Sequence, residues 1–280
     1  MKYFLKAVAS LVTLLGLSLL GSGCAKDEVL NLKDRETIHW DQMIQEVKDK
    51  KIIFVGEIHG EPKHHEYQLR AIKALYEQGT PIAIGLEMFR ANDQGLLDGW
   101  VGGNLTLDQF LPIYSANWHA PWSLYKDVFL FSKDKKIPLI ALNVPPEIPG
   151  KIAKMGFVSL SEEEIRQLPP GIRCDVDETY IGYIKRVYPG RSPGKEFVNF
   201  CEAQMVWDNA MALYTLKYLE KYPNSTVVVL SAWDHAWKRA TPRQIERLDR
   251  RYTVSVILPE LIKTERDIMT AEDADFLILK

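Results

Sequence analysis

Two histidines follow short apolar runs that lie far apart in the sequence. The run at residues 52–55 leads to His59, and the run at residues 227–231 leads to His235. Short runs rich in β-branched residues predict buried strands of a parallel sheet. Because ligands of open α/β sheets bind beyond the carboxyl ends of the strands, the two imidazoles are predicted to share one site.

Carboxylates accompany these histidines. Glu57 precedes His59 by two residues, so on an extended backbone both side chains point the same way. Glu87 ends the strand predicted at residues 82–86. His59, Glu87 and His235 together could bind a divalent metal such as zinc or manganese, and with Glu57 they could perform acid–base catalysis. The alternative for each residue is a helix cap or a loop hydrogen bond.

Three further polar residues are candidates for positioning the histidines. Asn143 ends the strand predicted at residues 139–142. Gln204 and Asp208 are four residues apart on the apolar face of a long helix predicted at residues 195–221. Polar side chains on such a face need partners. We expect them to hydrogen-bond the strand-end histidines, or alternatively a buried loop.

Three side chains are candidate haem-iron ligands. His65 lies on the apolar stripe of the helix that Pro62 opens, and a helix N-terminus disfavours a protonated imidazole. A neutral imidazole can bind a metal or haem iron, whereas the alternative is a hydrogen bond to a backbone carbonyl. Tyr180 and Tyr183 share one helical face, and tyrosine is a known haem ligand. Their alternative role is apolar packing. His64 is expected to be exposed.

Six apolar runs alternate with helical patterns along the chain. This alternation predicts an α/β fold with a mostly parallel central sheet and helices on both faces. The segment at about residues 157–195 differs in character and is predicted to be a helical insert. One domain is expected over residues 39–280. The predicted strands are residues 51–56, 82–86, 139–142, 226–231, 254–258 and 276–279.

The N-terminal segment is typical of an exported lipoprotein. Lys2 and Lys6 precede an apolar stretch that ends in small residues before Cys24, so residues 1–23 are predicted to be a lipoprotein signal peptide. Cys24 would then carry the lipid and residues 24–38 would form a tether. The alternative is ordinary secretion with an incidental cysteine. Removal of residues 1–23 changes the formal charge from −2 to −4, and no basic block remains that would favour nucleic acid.

Cysteine usage leaves one question open and excludes one type of cofactor attachment. Cys174 and Cys201 could form a disulfide in an oxidising compartment, but spacing alone does not show that they meet. The sequence contains no CxxCH motif, which excludes covalent c-type haem attachment.

The motifs resemble those of the ChaN-like haem-binding lipoproteins, which belong with the Tiki/TraB and erythromycin-esterase-like proteins. The resemblance covers residues 50–258. Its most specific part is the pair formed by Gly-Glu-x-His at residues 56–59 and Leu-Glu-Met-Phe at residues 86–89. Further matches are His64, His65, Gln68, Gln94, residues 141–145, Gln204, residues 207–212 and the strand ending at His235.

The resemblance implies a lipid-anchored haem-binding protein for haem or iron uptake, located at the outer membrane or cell surface. It implies a haem importer or receptor as partner, haem bound between two protomers of a homodimer, and a tyrosine on the iron, for which Tyr180 and Tyr183 are the candidates. A second hypothesis is a metal-dependent hydrolase of esterase or peptidase type that uses Glu57, His59, Glu87 and His235. A third is a scaffold lipoprotein without a working site.

Overall fold

The computed structural model describes residues 28–188 and 194–280. The predicted signal peptide, Cys24 and the first residues of the predicted tether lie outside the described residues. No helix within the described ranges is long and apolar enough to cross a membrane.

The centre of the fold is an eight-stranded sheet with the order β2-β1-β8-β7-β3-β6-β4-β5. The neighbours from β8 to β5 pair in parallel, whereas β1 is antiparallel to both β2 and β8. The strands are β1 Glu28–Asn31, β2 Thr37–His39, β3 Ile52–Glu57, β4 Ile82–Arg90, β5 Leu139–Asn143, β6 Thr226–Ala232, β7 Val254–Pro259 and β8 Phe276–Ile278.

Helices cover both faces of this sheet, which confirms the predicted α/β class. On one face α1 to α5 enclose a core with Val55, Leu86 and Leu230, and on the other α9 to α11 pack on Phe54 and Val229. The helices are α1 Trp40–Val47, α2 Pro62–Glu77, α3 Gln94–Gly102, α4 Leu107–Asn117, α5 Trp122–Lys135, α6 Glu147–Met155, α7 Glu162–Arg166, α8 Glu178–Val187, α9 Lys195–Lys221, α10 Trp233–Ala236, α11 Thr241–Leu248 and α12 Glu265–Ile268.

The segment predicted as a helical insert contains a short 3₁₀ helix at Phe157–Ser159 followed by α7 and α8. Its apolar side chains pack on α9 in two clusters. One cluster joins α6 to α9, and the other joins α8 to α9 and α10. The long helix α9 therefore links the insert to the sheet.

Residues 28–39 are not a tether, contrary to the prediction. Glu28–Asn31 pairs with β8, and Thr37–His39 pairs with β1. Val29 and Leu30 are buried in the two cores on opposite faces of the sheet. The segment is strand because these apolar residues alternate between faces and cover the otherwise open edge of β8.

The opposite edge of the sheet is formed by β5, where a side chain occupies the hydrogen-bonding positions of the backbone. Gln94, at the start of α3, donates from Nε2 to the Leu139 carbonyl at 2.8 Å and accepts from the Ala141 N–H at 2.8 Å. This pair of bonds fixes α3 alongside β5.

Gly56 stands where the sheet passes closest to α10. A Cβ at this position would lie 2.6 Å from Leu258 Cδ2 and 3.1 Å from Ala236 Cβ. Because the contact involves α10, which carries His235, a larger residue at position 56 would displace the end of β3 from the end of β6.

We predict that Gly56→Ala lowers the free energy of unfolding by about 1–3 kcal/mol, since overpacking forces the neighbours to move. Gly60→Ala is the matched control, because a Cβ there meets nothing within 4 Å. Urea denaturation of both variants provides the measurement. Equal stability of the two variants would contradict the close approach at Gly56.

Candidate functional site

The register of three neighbouring strands brings the predicted residues to one edge. β6 lies between β3 and β4, with Glu57 opposite Ala232 and Leu86 opposite Leu230. Glu57 and Glu87 therefore flank the end of β6, and α10 begins there and carries His235. The ends of β3 and β6 lie within one residue of the predicted ends, whereas β4 continues past Glu87 to Arg90. The pairing order makes Glu57, Glu87 and the start of α10 neighbours.

The first group of side chains, the Glu57 network, surrounds a fully buried carboxylate. Glu57 Oε1 accepts from His59 Nδ1 at 2.6 Å and from the Tyr125 hydroxyl at 2.7 Å. His65 Nδ1 lies 2.8 Å from Glu57 Oε2. Gln68 lies beside His65 and donates from Nε2 to the Val55 carbonyl at 3.0 Å, which ties the network to β3.

These contacts keep Glu57 ionised. Burial by itself would raise the pKa of Glu57, but the hydrogen bonds and charges of His59 and His65 outweigh it and lower the pKa to about 2. Burial would lower the pKa values of His59 and His65, but their bonds to Glu57 raise both. The network thus favours the charged form of Glu57, and its carboxylate in turn favours proton binding by His59 and His65.

His64 and His65 differ from one another in role. His64 is buried rather than exposed, contrary to expectation, and its Nδ1 accepts from the Ile58 N–H at 3.0 Å. His65 Nε2 lies 3.1 Å from the His59 carbonyl. Both ring nitrogens of His65 are thus engaged, Nδ1 beside Glu57 and Nε2 beside the His59 carbonyl. The contact of Nε2 with the His59 carbonyl is the backbone hydrogen bond that was the alternative to haem ligation by His65.

The second group, the Asp208 network, surrounds a carboxylate that is 1% exposed. Asp208 Oδ1 accepts from His235 Nδ1 at 2.8 Å and from the Thr241 hydroxyl at 2.8 Å. Asp208 Oδ2 accepts from the Tyr180 hydroxyl at 2.6 Å. Burial opposes the charged form of His235, but the charges of Asp208 and Asp234 raise its pKa to about 10.

Glu87 lies between the two networks. Its Oε2 accepts from the Ala232 N–H at 2.5 Å, and its backbone carbonyl accepts from Asn143 Nδ2 at 2.7 Å. Burial raises the pKa of Glu87, while the nearby His235 and His59 act in the opposite direction. Burial therefore favours the protonated form of Glu87, and Asn143 holds the backbone of β4 at this residue.

The remaining predicted positions lie at different distances from this edge. Gln204 is buried on α9 one turn before Asp208. Tyr180 and Tyr183 are 1% and 3% exposed, and the Tyr183 hydroxyl donates to the Asp234 carbonyl. Burial raises both tyrosine pKa values well above the ordinary value. The structure thus directs both hydroxyls into the interior as donors.

Two members of the networks were not predicted as site residues. Tyr125 comes from α5 and Thr241 from the first turn of α11. Their link to the carboxylates depends on helix packing, which leaves no local pattern.

A cleft of about 450 Å³ opens over the Glu57 network, and its walls include Ile58, His59, Trp233, Asp234 and Leu261. The His59 side chain is 43% exposed and meets the edge of Trp118 at 4.7 Å between ring centroids. Because Nδ1 is bonded to Glu57, His59 can exchange a proton through Nε2. We refer to this space as the strand-end cleft.

The predicted metal site finds no support in the geometry. Across residues 28–188 and 194–280, no group of three or more histidine, cysteine, aspartate or glutamate side chains has an arrangement that could hold a metal ion. His59 and His235 each direct Nδ1 to a carboxylate within its own network.

A larger groove, here called the α9 groove, lies along the outer edge of β5 between α3 and α9. Its volume is about 820 Å³, and it extends past Pro81, Pro138 and Ser225, which precede β4, β5 and β6. α9 contributes Tyr214, Lys217, Tyr218 and Lys221, and Tyr222 follows directly at its C-terminal end. The three tyrosines recur every four residues, a spacing that places them along one side of a helix.

The fold and the strand-end networks together define the class: an α/β protein whose buried histidine–carboxylate pairs gather at the carboxyl edge of a parallel sheet. Within this class the chain belongs to the family described as haem-binding uptake, Tiki superfamily, ChaN, whose profile matches residues 43–245. The resemblance seen in the sequence is therefore confirmed.

Solved structures agree with this assignment. The chain is similar to a structure described as cofacial heme binding to ChaN of Campylobacter jejuni, with a TM-score of 0.68, 19% identity, and coverage of 91% of this chain and 96% of that chain. It is also similar to an erythromycin esterase mutant, EreC, in its open conformation, with a TM-score of 0.51, 10% identity, and coverage of 84% and 76%. At these identities the likeness shows the fold. No curated protein sequence matches the chain.

The Asp208 network predicts a specific pH dependence of stability. Because the pKa of His235 is raised to about 10 from 6.5, its contribution is complete below pH 6.5 and is lost as the pH rises to about 10. Asp208→Asn should lower the free energy of unfolding at neutral pH by about 3 kcal/mol. It should also flatten the decline between pH 6.5 and 10.

Urea denaturation at several pH values measures both effects. Asp249→Asn is the matched control, because Asp249 pairs with Arg251 near the surface. A decline of unchanged slope in Asp208→Asn would show that the pair does not set the protonation of His235.

Proposed function

We propose that this chain is a lipid-anchored haem-binding protein that functions in haem uptake and that it holds haem in the α9 groove. Its membership of the haem-binding uptake family supports the ligand. The observation that carries the location is the row of tyrosines and lysines along α9 and at its C-terminal end, which line a groove of about 820 Å³.

The α9 groove matches the chemistry of haem. Haem is a flat, mainly apolar macrocycle with an iron at its centre and two carboxylates at its rim, and pockets of several hundred Å³ suit ligands of this size. The groove offers about 820 Å³ with aromatic and proline walls. The strand-end cleft is smaller, at about 450 Å³, and none of the residues that line it is a tyrosine.

Each groove residue has a distinct role. The rings of Tyr218 and Tyr222 lie 4.8 Å apart between centroids and are tilted by 40°, and Tyr222 is the more exposed of the two. A tyrosine oxygen is a suitable ligand for ferric haem iron, so these two are the candidate ligands. Lys217 and Lys221 are exposed on the same helix and would pair with the carboxylates. Haem when bound would supply the iron that the family transports.

The anchor and the partners complete the proposal. Cys24 would carry the lipid that holds the protein at the outer membrane or cell surface. An open groove leaves one face of a flat ligand exposed to water, so a second copy of the chain would bury that face and form a haem-dependent dimer. A haem importer or receptor would receive the ligand.

Haemin titration followed by absorbance tests the site. The wild-type protein should show a saturable shift of the Soret band. Replacing Tyr214, Tyr218 and Tyr222 by phenylalanine should remove the spectrum of a tyrosine-bound ferric haem and raise the Kd roughly tenfold or more, a loss of about 1.4 kcal/mol per tenfold. Lys217→Gln with Lys221→Gln should weaken binding and leave the spectrum unchanged.

Matched controls separate the groove from the earlier candidates. Tyr76→Phe and Lys126→Gln change exposed residues on α2 and α5 and should have no effect. Tyr180→Phe and Tyr183→Phe test the buried tyrosines. If these abolish the haem spectrum while the groove variants retain it, the haem lies at α8 and not in the groove. Light scattering with and without haemin reports the dimer.

A second candidate function is a hydrolase that uses the strand-end cleft. Two histidine–carboxylate pairs flank Glu87: the half-exposed His59 with the buried Glu57, and the buried His235 with Asp208. Burial raises the pKa of Glu87. Perturbed acids and bases that converge beside a cleft favour acid–base catalysis. A divalent metal would require these side chains to rearrange, because no group of them among the described residues is arranged to hold a metal ion.

Assays of ester and peptide substrates, with and without added zinc or manganese, test this second function. His59→Gln and His235→Gln should each reduce the rate by roughly 10²–10⁴-fold if they carry protons. His119→Gln changes an exposed histidine and serves as the control. An inert wild-type protein, or equal activity in all three variants, would remove this candidate.

A further inference from the structure

The described chain begins at the carboxyl edge of the sheet. Because β1 runs antiparallel to β8, Glu28 lies beside the end of β8, where the Leu279 N–H donates to the Glu28 carbonyl at 2.9 Å. Cys24 is four residues before Glu28 and therefore lies within roughly 14 Å of it, whatever path the chain takes. A lipid on Cys24 would hold this edge of the sheet close to a bilayer.

The same edge carries apolar side chains at its tip. Ile58 follows β3 and is 41% exposed, and Ile262 follows β7 and is 60% exposed. Leu261, next to Ile262, shares the strand-end cleft with Ile58. Lys263 and Lys280 are exposed nearby, together with the acidic Glu28 and Glu61.

We infer that this edge rests on a phospholipid bilayer, with Ile58 and Ile262 reaching into the interface between headgroups and acyl chains. The inference rests on the proposed anchoring through Cys24. Apolar side chains that enter the interface increase the membrane affinity that a lipid anchor provides, and lysines favour binding to anionic headgroups.

A bilayer suits this surface better than a protein partner does. A stable protein interface buries roughly 800 Å² on each side, which two isoleucines at the rim of a polar edge do not provide. The short chain between Cys24 and Glu28 would also hold this edge beside the membrane, so that a bilayer is always within reach of it whereas a soluble partner is not. The strand-end cleft would then open towards the bilayer, whereas the α9 groove, at the amino ends of β4 to β6, would face solution.

Photolabelling of the reconstituted full chain tests the orientation. The lipidated protein is placed in vesicles of phosphatidylethanolamine and phosphatidylglycerol that contain a phospholipid with a diazirine on its acyl chain. Adducts mapped by mass spectrometry should fall in residues 57–61 and 260–264. They should be absent from residues 222–225 and 249–253, which lie at the opposite edge. Adducts at the opposite edge, or equal labelling of both, overturn the inference.

Substitution gives an independent arm. Ile58→Ser with Ile262→Ser should lower the adduct yield at this edge roughly fivefold, since less apolar surface enters the interface. Val158→Ser is the matched control, because Val158 is 93% exposed on the insert. An unchanged yield in the double variant overturns the inference, and haemin titration of the same variant reports separately on the α9 groove.

The mass of the N-terminal peptide separates the two proposals. An acyl mass on Cys24 confirms the anchor, so a failure of edge labelling then counts against the orientation alone. Without an acyl mass the proposed lipid anchor is rejected. Co-sedimentation of the chain with the same vesicles then tests whether the edge with Ile58 and Ile262 binds a bilayer. Binding that is lost in the double isoleucine variant supports the edge, and absence of binding overturns it.

Discussion

The carboxylate of Asp208 is the interaction on which the arrangement of the helices around the site depends. It lies on α9 and accepts hydrogen bonds from Tyr180 on α8, His235 on α10 and Thr241 on α11. A buried charge costs several kcal/mol unless it is paired and fully hydrogen-bonded, so these donors have to be present together. One residue thereby fixes the insert, the end of β6 and the start of α11 relative to one another.

The two edges of the sheet contrast in their chemistry. At the carboxyl edge most of the polar groups are buried and bonded to one another, and this kind of network holds a single geometry. Near the amino ends of β4 to β6, the α9 groove is wide, and Lys217, Lys221 and Tyr222 on its wall are exposed. A network of bonded acid–base groups and an open groove thus occupy opposite sides of one domain.

Several features of the fold could be predicted because they rest on local patterns. The apolar runs before His59, Glu87, Asn143 and His235 marked strands, since buried parallel strands are apolar throughout. Asp208 was recognised as a polar residue on an apolar helix face, where a partner is required. The order of the strands and the register that aligns Glu57 with Ala232 arise from long-range pairing and could not be read from the sequence.

The errors have physical causes. Residues 28–39 looked like a polar linker because strands as short as β2 contain too few residues to show alternation. Tyr180 and Tyr183 were predicted as iron ligands by residue type, which stays a prediction, and packing turns their hydroxyls inward as hydrogen-bond donors. The α9 groove could not be predicted, because its tyrosines and lysines line a groove only where β5 ends the sheet beside them.

The position of β5 at the end of the sheet has one more consequence. A free strand edge offers unpaired backbone groups on which another chain can extend the sheet, and this is a common route to aggregation. Here the amide of Gln94 takes the donor and acceptor positions at Leu139 and Ala141 that an incoming strand would use. A single glutamine side chain thus acts as a cap that keeps the sheet from growing beyond the molecule.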